Sequence, residues 1–421
     1  DALARDGIRF TNHYAGSTVC APSRCCLLTG RHTGHASIRG NKGGALDARE
    51  VTVANLLQNA GYATAAIGKW GVGESPGPGD PQRYGFESFF GYLDMWHAHN
   101  YYPDYLWHDG ARVPLKGNIV RPVGSGGVAI KRTQYSHDLF TDSALAFLEE
   151  QRNRPFFLYL ALTIPHANNE AGDEGMEVPD DAPYQDRDWP QAHKNRAAMI
   201  TRLDRTVGAI VDKLAELGLS NDTLVLFTSD NGPHEEGGAD AVFFESSGGL
   251  RGRKRDLYEG GIRVPLVASW PGRIPAGRVS DHLSAGWDIL PTLTELACLE
   301  TPGDVDGVSF LPTLLGQAER QRQHLFLYWE FGEQRPLQAM RLGKWKFVRE
   351  IGGRGELYDL RTDPAETRDV AAHNLPVVQS IEFILQTIHD RPTRRPRPTT
   401  IPMRGRDDDR FDDDDDDDDD D

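Results

Sequence analysis

Short apolar runs alternate with segments of helical periodicity through roughly the first three hundred residues of the chain. The runs have the length of strands, and we predict strands at 62–67, 156–162 and 223–227. Apolar side chains recur at helical spacing in other segments, and we predict helices at 53–59, 137–150 and 193–217. This alternation predicts an α/β fold with a mostly parallel sheet between two layers of helices.

The pattern changes near residue 318. Short strand-like runs follow one another at 325–330, 338–342, 345–349 and 356–360, and a helical pattern follows at 377–388. This block predicts a small antiparallel sheet packed against one helix. We therefore expect a catalytic core over 1–318 and a C-terminal subdomain over 319–390. For 391–421, a Pro/Arg-rich linker and a poly-Asp tail, we expect disorder because the tail repels itself.

The formal charge of −17 overstates the acidity of the folded body. Thirteen aspartates and one arginine lie in 407–421, so the rest of the chain carries a net charge of only −5. Neither part has a broad basic surface, which argues against nucleic acid as a partner. No apolar run approaches the roughly 20 residues of a transmembrane segment. Four cysteines in so long a chain do not form a disulfide framework.

The segment 20–30 reads Cys-Ala-Pro-Ser-Arg-Cys-Cys-Leu-Leu-Thr-Gly. Proline and serine at its third and fourth positions suit the first turn of a helix, which would hold Arg24 close to Cys20. Free cysteines are usually buried packing residues. We expect that ordinary role for Cys25 and Cys26, whereas Cys20 begins a longer pattern of specified residues.

Polar groups stand where each predicted core strand ends. Lys69 follows the first strand, His166 the second, and Asp230 and Asn231 the third. Ligands bind beyond the carboxyl ends of strands in open α/β sheets, so these side chains are expected to converge on one crevice. Ordinary structural roles for these residues remain open alternatives. His166 is equally suited to capping a turn, and Asp-Asn-Gly is ordinary turn chemistry.

Segment 20–30 resembles the signature of the type I sulfatases, Cys-x-Pro-Ser-Arg-x-x-x-Leu-Thr-Gly. The resemblance extends over about 1–390 and includes Gly-Lys-Trp at 68–70 and the spacing from Lys254 to Glu-Gly-Gly at 259–261. That spacing selects Lys254 from a basic run that would otherwise indicate a solvated surface. The resemblance implies the alkaline-phosphatase-like form of the α/β fold.

The resemblance also implies a mechanism. A maturation enzyme would oxidise Cys20 to formylglycine, whose hydrated aldehyde attacks sulfur and leaves a covalent sulfate on the enzyme. The second hydroxyl then releases sulfate as the carbonyl re-forms. Arg24 would hold the formylglycine and metal environment, and Lys69 and Lys254 would bind sulfate oxygens. Either His166 or Lys254 would assist the departing oxygen.

By the same resemblance, Asp230 and Asn231 are hard oxygen ligands for calcium. Related sulfatases complete this site with two aspartates on an early strand, a pattern that is absent here. The opening segment, 1–12, resembles the part of the family just after that strand. We therefore expect an N-terminally truncated chain without an export signal, although the family implies a periplasmic or secreted location.

A second departure lies at Gly71, where many sulfatases have a histidine that serves as base when sulfate is released. His97 or His99 is our candidate for a replacement base or a substrate contact, since histidine has an unperturbed pKa of about 6.5. A polar surface loop is an equally open interpretation of the segment that holds them.

These features predict a sulfuric ester hydrolase that acts on a small-molecule or carbohydrate sulfate ester. The nearest alternative is a phosphonate or phosphate ester hydrolase, because tetrahedral oxyanions of sulfur and phosphorus need similar electrostatics. A catalytically silent homologue is a third possibility, given Gly71 and the missing aspartates.

We predict that this chain as given binds calcium poorly or not at all, because only part of the usual ligand set is present. Calorimetric titration of the protein with calcium tests this expectation. Binding in the micromolar range or tighter would contradict it.

Overall fold

The computed structural model describes residues 1–42, 44–73, 77, 79–333 and 335–389. The predicted linker and poly-Asp tail, 391–421, lie outside the described residues. None of the described helices combines the length and apolar character needed to cross a membrane.

The elements alternate as the hydrophobic pattern predicts. The helices of the described part are α1 (Ala2–Arg5), α2 (Cys20–Thr29), α3 (Val53–Asn59), α4 (Ser136–Glu150), α5 (Gln191–Glu216), α6 (Glu259–Ile262), α7 (Ile289–Leu296), α8 (Leu311–Leu314) and α9 (Leu375–His389). The strands there are β1 (Ile8–Phe10), β2 (His13–Tyr14), β3 (Ala63–Lys69), β4 (Ser88–Tyr92), β5 (Tyr105–His108), β6 (Ala111–Pro114), β7 (Ile119–Val123), β8 (Gly126–Lys131), β9 (Phe156–Ala161), β10 (Val225–Thr228), β11 (Leu266–Ser269), β12 (Arg278–Ser280), β13 (Ser284–Ala285), β14 (Leu327–Phe331), β15 (Leu337–Leu342), β16 (Trp345–Glu350) and β17 (Glu356–Asp359). The predicted helix at 53–59 has the observed bounds, and β3 extends two residues beyond the predicted strand to include Lys69.

Two sheets form the core. In the first, with the order β6-β5-β4-β3-β9, β3 pairs in parallel with β4 and with β9. Strands β5 and β6 extend it as antiparallel neighbours. The second sheet has the order β10-β11-β1-β12 and is parallel only between β1 and β12. The α/β architecture is confirmed, while the sheets are mixed rather than mostly parallel because antiparallel neighbours extend them.

Helices cover both faces of the first sheet. Successive residues of a strand point to opposite faces, and β3 shows this at its centre. Ala66 packs into one apolar cluster with Val53 of α3, whereas Ile67 packs into another with Phe140 of α4. The layered arrangement is therefore matched by a strand that is buried at every position rather than at alternate ones.

Strands β9 and β10 are the facing edges of the two sheets, and neither pairs with a further strand in the described part of the chain. A cavity of about 1440 Å³ lies between them and is lined by 156–162, by 224–230 and by the apolar stripe of α5. The stripe consists of residues from the predicted helical pattern: Ile200, Leu203, Val207, Ile210 and Leu214. One end of this cavity reaches the carboxyl ends of the strands.

The C-terminal sheet has the order β14-β15-β16-β17 and is antiparallel throughout. Helix α9 packs on it through Ile381 and Leu385, which share an apolar cluster with Tyr328, Met340 and Phe347. The small antiparallel sheet and its helix are thus as the sequence predicts. The division of the chain at residue 318 stays a prediction.

A buried ionic cluster joins this sheet to the core. Lys346 Nζ lies 3.1 Å from Glu259 Oε1 and 3.1 Å from Glu366 Oε1, and all three side chains are fully buried. Tyr14 donates a 2.7 Å hydrogen bond to Glu259 Oε2. Burial opposes ionisation of Glu259, but Lys346 and Arg341 hold its pKa below the usual value. Burial raises the pKa of Glu366.

Replacing Lys346 with methionine is expected to lower the free energy of unfolding by about 3 to 5 kcal/mol, because two buried carboxylates lose their shared cation. Denaturant titration of both proteins measures the loss. Lys344→Met is the matched control, since Lys344 pairs with Asp359 at the partly exposed surface and its removal should change stability by at most about 1 kcal/mol. Equal effects of the two substitutions would contradict the assignment.

Candidate active site

Helix α2 begins at Cys20, after the extended residue Val19. Proline is tolerated in the first turn because the amide it lacks has no partner there. The Oγ of Ser23 accepts a 3.2 Å hydrogen bond from the N–H of Ser17, which ties the preceding loop to the helix. The helix ends at Gly30, whose φ of 70° is the left-handed conformation that favours glycine. Cys20 is thereby buried, 3% exposed, at the helix start.

Arg24 connects the ends of two strands from different sheets. Its Nε and Nη2 lie 3.0 and 2.9 Å from Asp230 Oδ2, just beyond β10. Its Nη1 donates to the carbonyl oxygen of Lys69, the last residue of β3. Burial lowers the pKa of Lys69, with Cys20 acting in the opposite direction. The start of α2 thus lies among two buried cations and one carboxylate.

His166 and Lys254 form a second part of the site. Nδ1 of His166 lies 2.7 Å from the carbonyl oxygen of Ala167 and must carry the ring proton, since a carbonyl only accepts. Nε2 is then an acceptor, and Lys254 Nζ donates to it over 2.7 Å. Burial and the charge of Lys254 lower the pKa of His166 well below 6.5. His166 is therefore a neutral ring that accepts from an ammonium group.

Glu236 holds this pair in place. Its Oε2 lies 3.0 Å from Lys254 Nζ and its Oε1 lies 2.6 Å from Arg255 Nη2. Burial opposes ionisation, but the two cations lower the pKa of Glu236 to about 2. The backbone N–H of Glu236 donates to His234 Nδ1 over 3.1 Å, and His234 Nε2 lies 3.0 Å from the carbonyl oxygen of Pro165. Sequence reasoning missed Glu236 and His234, although both directly follow the Asp-Asn-Gly turn.

The structure separates the two candidate histidines. The His99 ring stacks on His166 at 4.8 Å between centroids, and His99 Nδ1 lies 3.0 Å from Glu170 Oε2. The His97 ring lies instead against Tyr105, with its centroid 4.5 Å away. Burial lowers the pKa of both imidazoles, for His97 to about 4. Only His99 is thus brought to the Lys254 and His166 pair.

Gly71 lies against the same cations. A Cβ built on it would be 3.4 Å from Arg24 Cδ and 3.4 Å from Lys69 Cε, and its φ of 73° favours glycine. A side chain at this position would point among the site residues, and glycine places none there.

Asp230 and Asn231 present oxygen atoms next to Arg24. Asn231 Oδ1 is buried without a hydrogen-bond partner, while its Nδ2 donates to the carbonyl oxygen of Gly232. Burial opposes ionisation of Asp230, but Arg24 and Lys69 hold its pKa below the usual value. An anionic carboxylate beside an unpartnered amide oxygen is a donor set that suits a hard cation such as calcium.

A separate cluster of His32, His35 and Asp306 lies near the end of α2. Asp306 accepts from His35 Nδ1 at 2.8 Å, and the N–H of Gly34 donates to His32 Nδ1. That donation leaves the proton of a neutral His32 on Nε2, which faces Asp306. The cluster is thus a hydrogen-bonded link between two loops. In it, the N–H groups of both imidazoles face Asp306.

Strand ends from two sheets, the start of α2 and the loop before α6 bring two lysines, an arginine and a cysteine to one crevice. Such a set of fixed cations around a potential nucleophile defines a hydrolase of anionic esters. The family comparisons narrow this class.

The family model described as Sulfatase matches residues 1–299, and the model described as N-sulphoglucosamine sulphohydrolase, C-terminal, matches 252–390. Arylsulfatase A of Homo sapiens is 33% identical over 410 residues, covering 90% of this chain and 75% of that relative. The chain therefore belongs to the type I sulfatase family, is arylsulfatase-like, and is a sulfatase enzyme.

Solved structures share the fold. The crystal structure of Ps i-CgsB in complex with k-i-k-neocarrahexaose matches with a TM-score of 0.77 and 26% identity, over 93% of this chain and 87% of that one. The phosphonate monoester hydrolase of Agrobacterium radiobacter matches with a TM-score of 0.63 and 22% identity, over 92% and 89%. The alkaline-phosphatase-like fold predicted from the sequence is confirmed.

Proposed function

We propose that the enzyme hydrolyses a sulfate monoester through formylglycine formed from Cys20 by a maturation enzyme. When present, that group supplies a hydrated aldehyde, whose hydroxyl is a nucleophile toward sulfur. The observation that carries the proposal is the position of Cys20 at the start of α2, beside the Arg24 that bridges Asp230 and Lys69. The core over 1–318 supplies every proposed catalytic residue.

Lys69 is the proposed ligand of the sulfate oxygens on the nucleophile side. Its ammonium group is buried beside the start of α2, where weak solvation strengthens its attraction for an anion. Arg24 is already bonded to Asp230 and to the Lys69 carbonyl oxygen, so its role is to hold the nucleophile and the metal environment in position.

Lys254 is the proposed proton donor to the departing oxygen. Of its three N–H groups, one faces His166 Nε2 and another faces Glu236, which leaves one for the substrate. His166 has no proton on Nε2 in this arrangement. It therefore orients Lys254 by accepting its hydrogen bond, and it can accept a proton from it. Of the two alternatives left open by the sequence, His166 and Lys254, these hydrogen bonds support Lys254.

His99 is the proposed base for the release of sulfate. By resemblance, many sulfatases use a histidine for this step at the position where this chain has Gly71. Glu170 accepts a hydrogen bond from His99 Nδ1. The ring proton is therefore on Nδ1, and Nε2 has the free lone pair that a base needs. His97 is assigned a packing role against Tyr105.

Asp230 and Asn231 are the proposed calcium ligands. A bound calcium would neutralise charge on the sulfate oxygens. The unpartnered Asn231 Oδ1 supports this assignment. The two side chains supply fewer than the roughly six to eight oxygen ligands that calcium takes, in line with the weak binding expected above.

The substrate is proposed to be a carbohydrate or small aryl sulfate, and the location periplasmic or secreted by family resemblance. A phosphonate or phosphate ester is the second candidate, supported by the shared fold of a phosphonate monoester hydrolase. Parallel assays with aryl sulfate and aryl phosphate separate the two. A wholly unmodified Cys20 after coexpression with a maturation enzyme would support a silent homologue.

Cys20→Ala is expected to reduce aryl sulfate turnover by more than about a thousandfold, because the nucleophile is lost. Cys20→Ser should instead accumulate a covalent sulfate ester, since an ordinary serine has no second hydroxyl to release it. Intact-mass measurement after incubation with substrate detects this adduct. Cys25→Ala is the control and should retain turnover. Unimpaired activity of Cys20→Ala would refute the proposed nucleophile.

Glu236→Gln is expected to lower kcat by roughly 10- to 100-fold for an alkyl sulfate, because Lys254 loses the carboxylate that orients it. The loss should be smaller for a nitrophenyl sulfate, whose leaving group needs less proton donation. With a pKa of about 2, Glu236 is ionised at every pH of a normal assay, so the loss should not vary with pH.

The matched control is Glu235→Gln, since Glu235 pairs with Arg253 at the surface rather than with Lys254. This variant should keep kcat within about twofold of the parent. A Glu236→Gln effect that is equal for good and poor leaving groups would contradict a role in proton donation.

A further inference from the structure

Arg196 is a buried arginine with few partners. Its side chain is 4% exposed, and its Nη1 donates a long hydrogen bond of 3.4 Å to the carbonyl oxygen of Asp240. Its Nε is buried without a hydrogen-bond partner. The Asp240 carboxylate accepts instead from the backbone N–H groups of Val242 and Phe243. Within the described residues, no carboxylate forms an ion pair with this guanidinium.

Such an arrangement is unfavourable in the absence of a ligand. A guanidinium has five N–H donors and stays charged, and burying a charge without a partner destabilises the protein. Burial lowers the pKa of Arg196, with only the more distant charge of Asp240 opposing it. The geometry is that of a binding group whose anion comes from outside the chain.

Arg196 faces the same cavity as the proposed catalytic residues. It lies near the start of α5 and lines the cavity together with Lys69, His166 and Asp230. His234 lines the cavity as well, and its ring lies 5.4 Å from the His166 ring. Arg196 and His166 therefore border one cavity.

An aromatic side chain lines the same cavity. Phe244 lines it and is 36% exposed, although phenylalanine is usually buried. Trp189 and Phe243 hold its ring edge-on, with centroids 5.2 and 4.7 Å away. A fixed, exposed ring in a cavity that also holds charged side chains is suited to the flat apolar face of a sugar.

We propose that Arg196 and Phe244 form a subsite for an acidic saccharide. Arg196 binds a carboxylate or a second sulfate on the sugar unit next to the hydrolysed ester, and Phe244 packs against that unit. This inference rests on the proposed function and deepens it, because it assigns the substrate to the anionic saccharide sulfates rather than to small aryl sulfates.

The test compares three substrates: an aryl sulfate, a sulfated disaccharide with a carboxylate on the neighbouring sugar, and the same disaccharide with that carboxylate reduced to an alcohol. Arg196→Met should raise KM for the acidic disaccharide by roughly 10- to 100-fold, the loss typical of a charge-assisted hydrogen bond. It should leave the other two substrates within about twofold. Arg196→Lys should recover part of the loss.

Phe244→Leu should raise KM for both disaccharides and not for the aryl sulfate. Arg205→Met is the matched control on the same helix, because Arg205 is exposed, and it should change none of the three. A disulfated disaccharide without a carboxylate shows whether Arg196 binds sulfate as well.

Equal losses on all three substrates would overturn the subsite, as would equal KM values of the parent enzyme for the acidic, the reduced and the disulfated disaccharides. Melting temperatures identify a variant that fails to fold, in which case Arg196→Lys carries the test. An enzyme that cleaves no sulfate ester would overturn the proposed function alone. Calorimetric binding of the acidic and reduced disaccharides then tests the subsite without turnover, and equal affinities would refute it.

Discussion

The bridge made by Arg24 is the interaction on which the arrangement of the site depends. The two core sheets do not pair with each other in the described residues, since β9 and β10 are both edges that face a cavity. Arg24 donates to the carbonyl oxygen at the end of β3 in one sheet and to Asp230 beyond β10 in the other. A planar guanidinium suits this task because it offers several donors in fixed directions. The same side chain thereby sets the distance between the start of α2 and both strand ends.

The C-terminal sheet supports the other half of the site. The segment that carries Lys254 continues into α6, whose first residue, Glu259, lies in the buried cluster with Lys346. The N–H of Arg255 donates to Thr18 Oγ1 over 2.9 Å, and the N–H of Lys254 to the carbonyl oxygen of Pro233 over 2.8 Å. Lys254 is thus held between the loop that precedes Cys20 and the turn that follows Asp230. The C-terminal sheet, which carries no proposed catalytic residue, therefore helps to fix the position of one.

Much of this structure could be predicted because hydrophobic patterns within short segments of the sequence indicate its strands and helices. Apolar runs predicted β3 and the C-terminal strands, and helical spacing predicted α3. Burial on both faces is the reason that a core strand such as β3 is mainly apolar. The convergence of Lys69, His166 and Asp230 followed from their places at strand ends. Glu236 and Glu170 could not be predicted, because each is defined by a partner far away in sequence, Lys254 and His99 respectively. His97 and His99 have the same local pattern, and only packing of the short turn between them separates their roles.

The balance of charge in the crevice restricts what it can bind. Lys69, Arg24, Lys254 and Arg255 bring four cations to it, while Asp230, Glu236 and Glu170 bring three anions. Buried charges of one sign in excess repel each other and favour an anion that neutralises them. One sulfate monoester supplies a single negative charge, which balances these seven groups. Arg196, which lines the cavity and has no carboxylate partner within the described residues, adds one further positive charge. A substrate with a second anionic group therefore balances the cavity better than a singly charged aryl sulfate does.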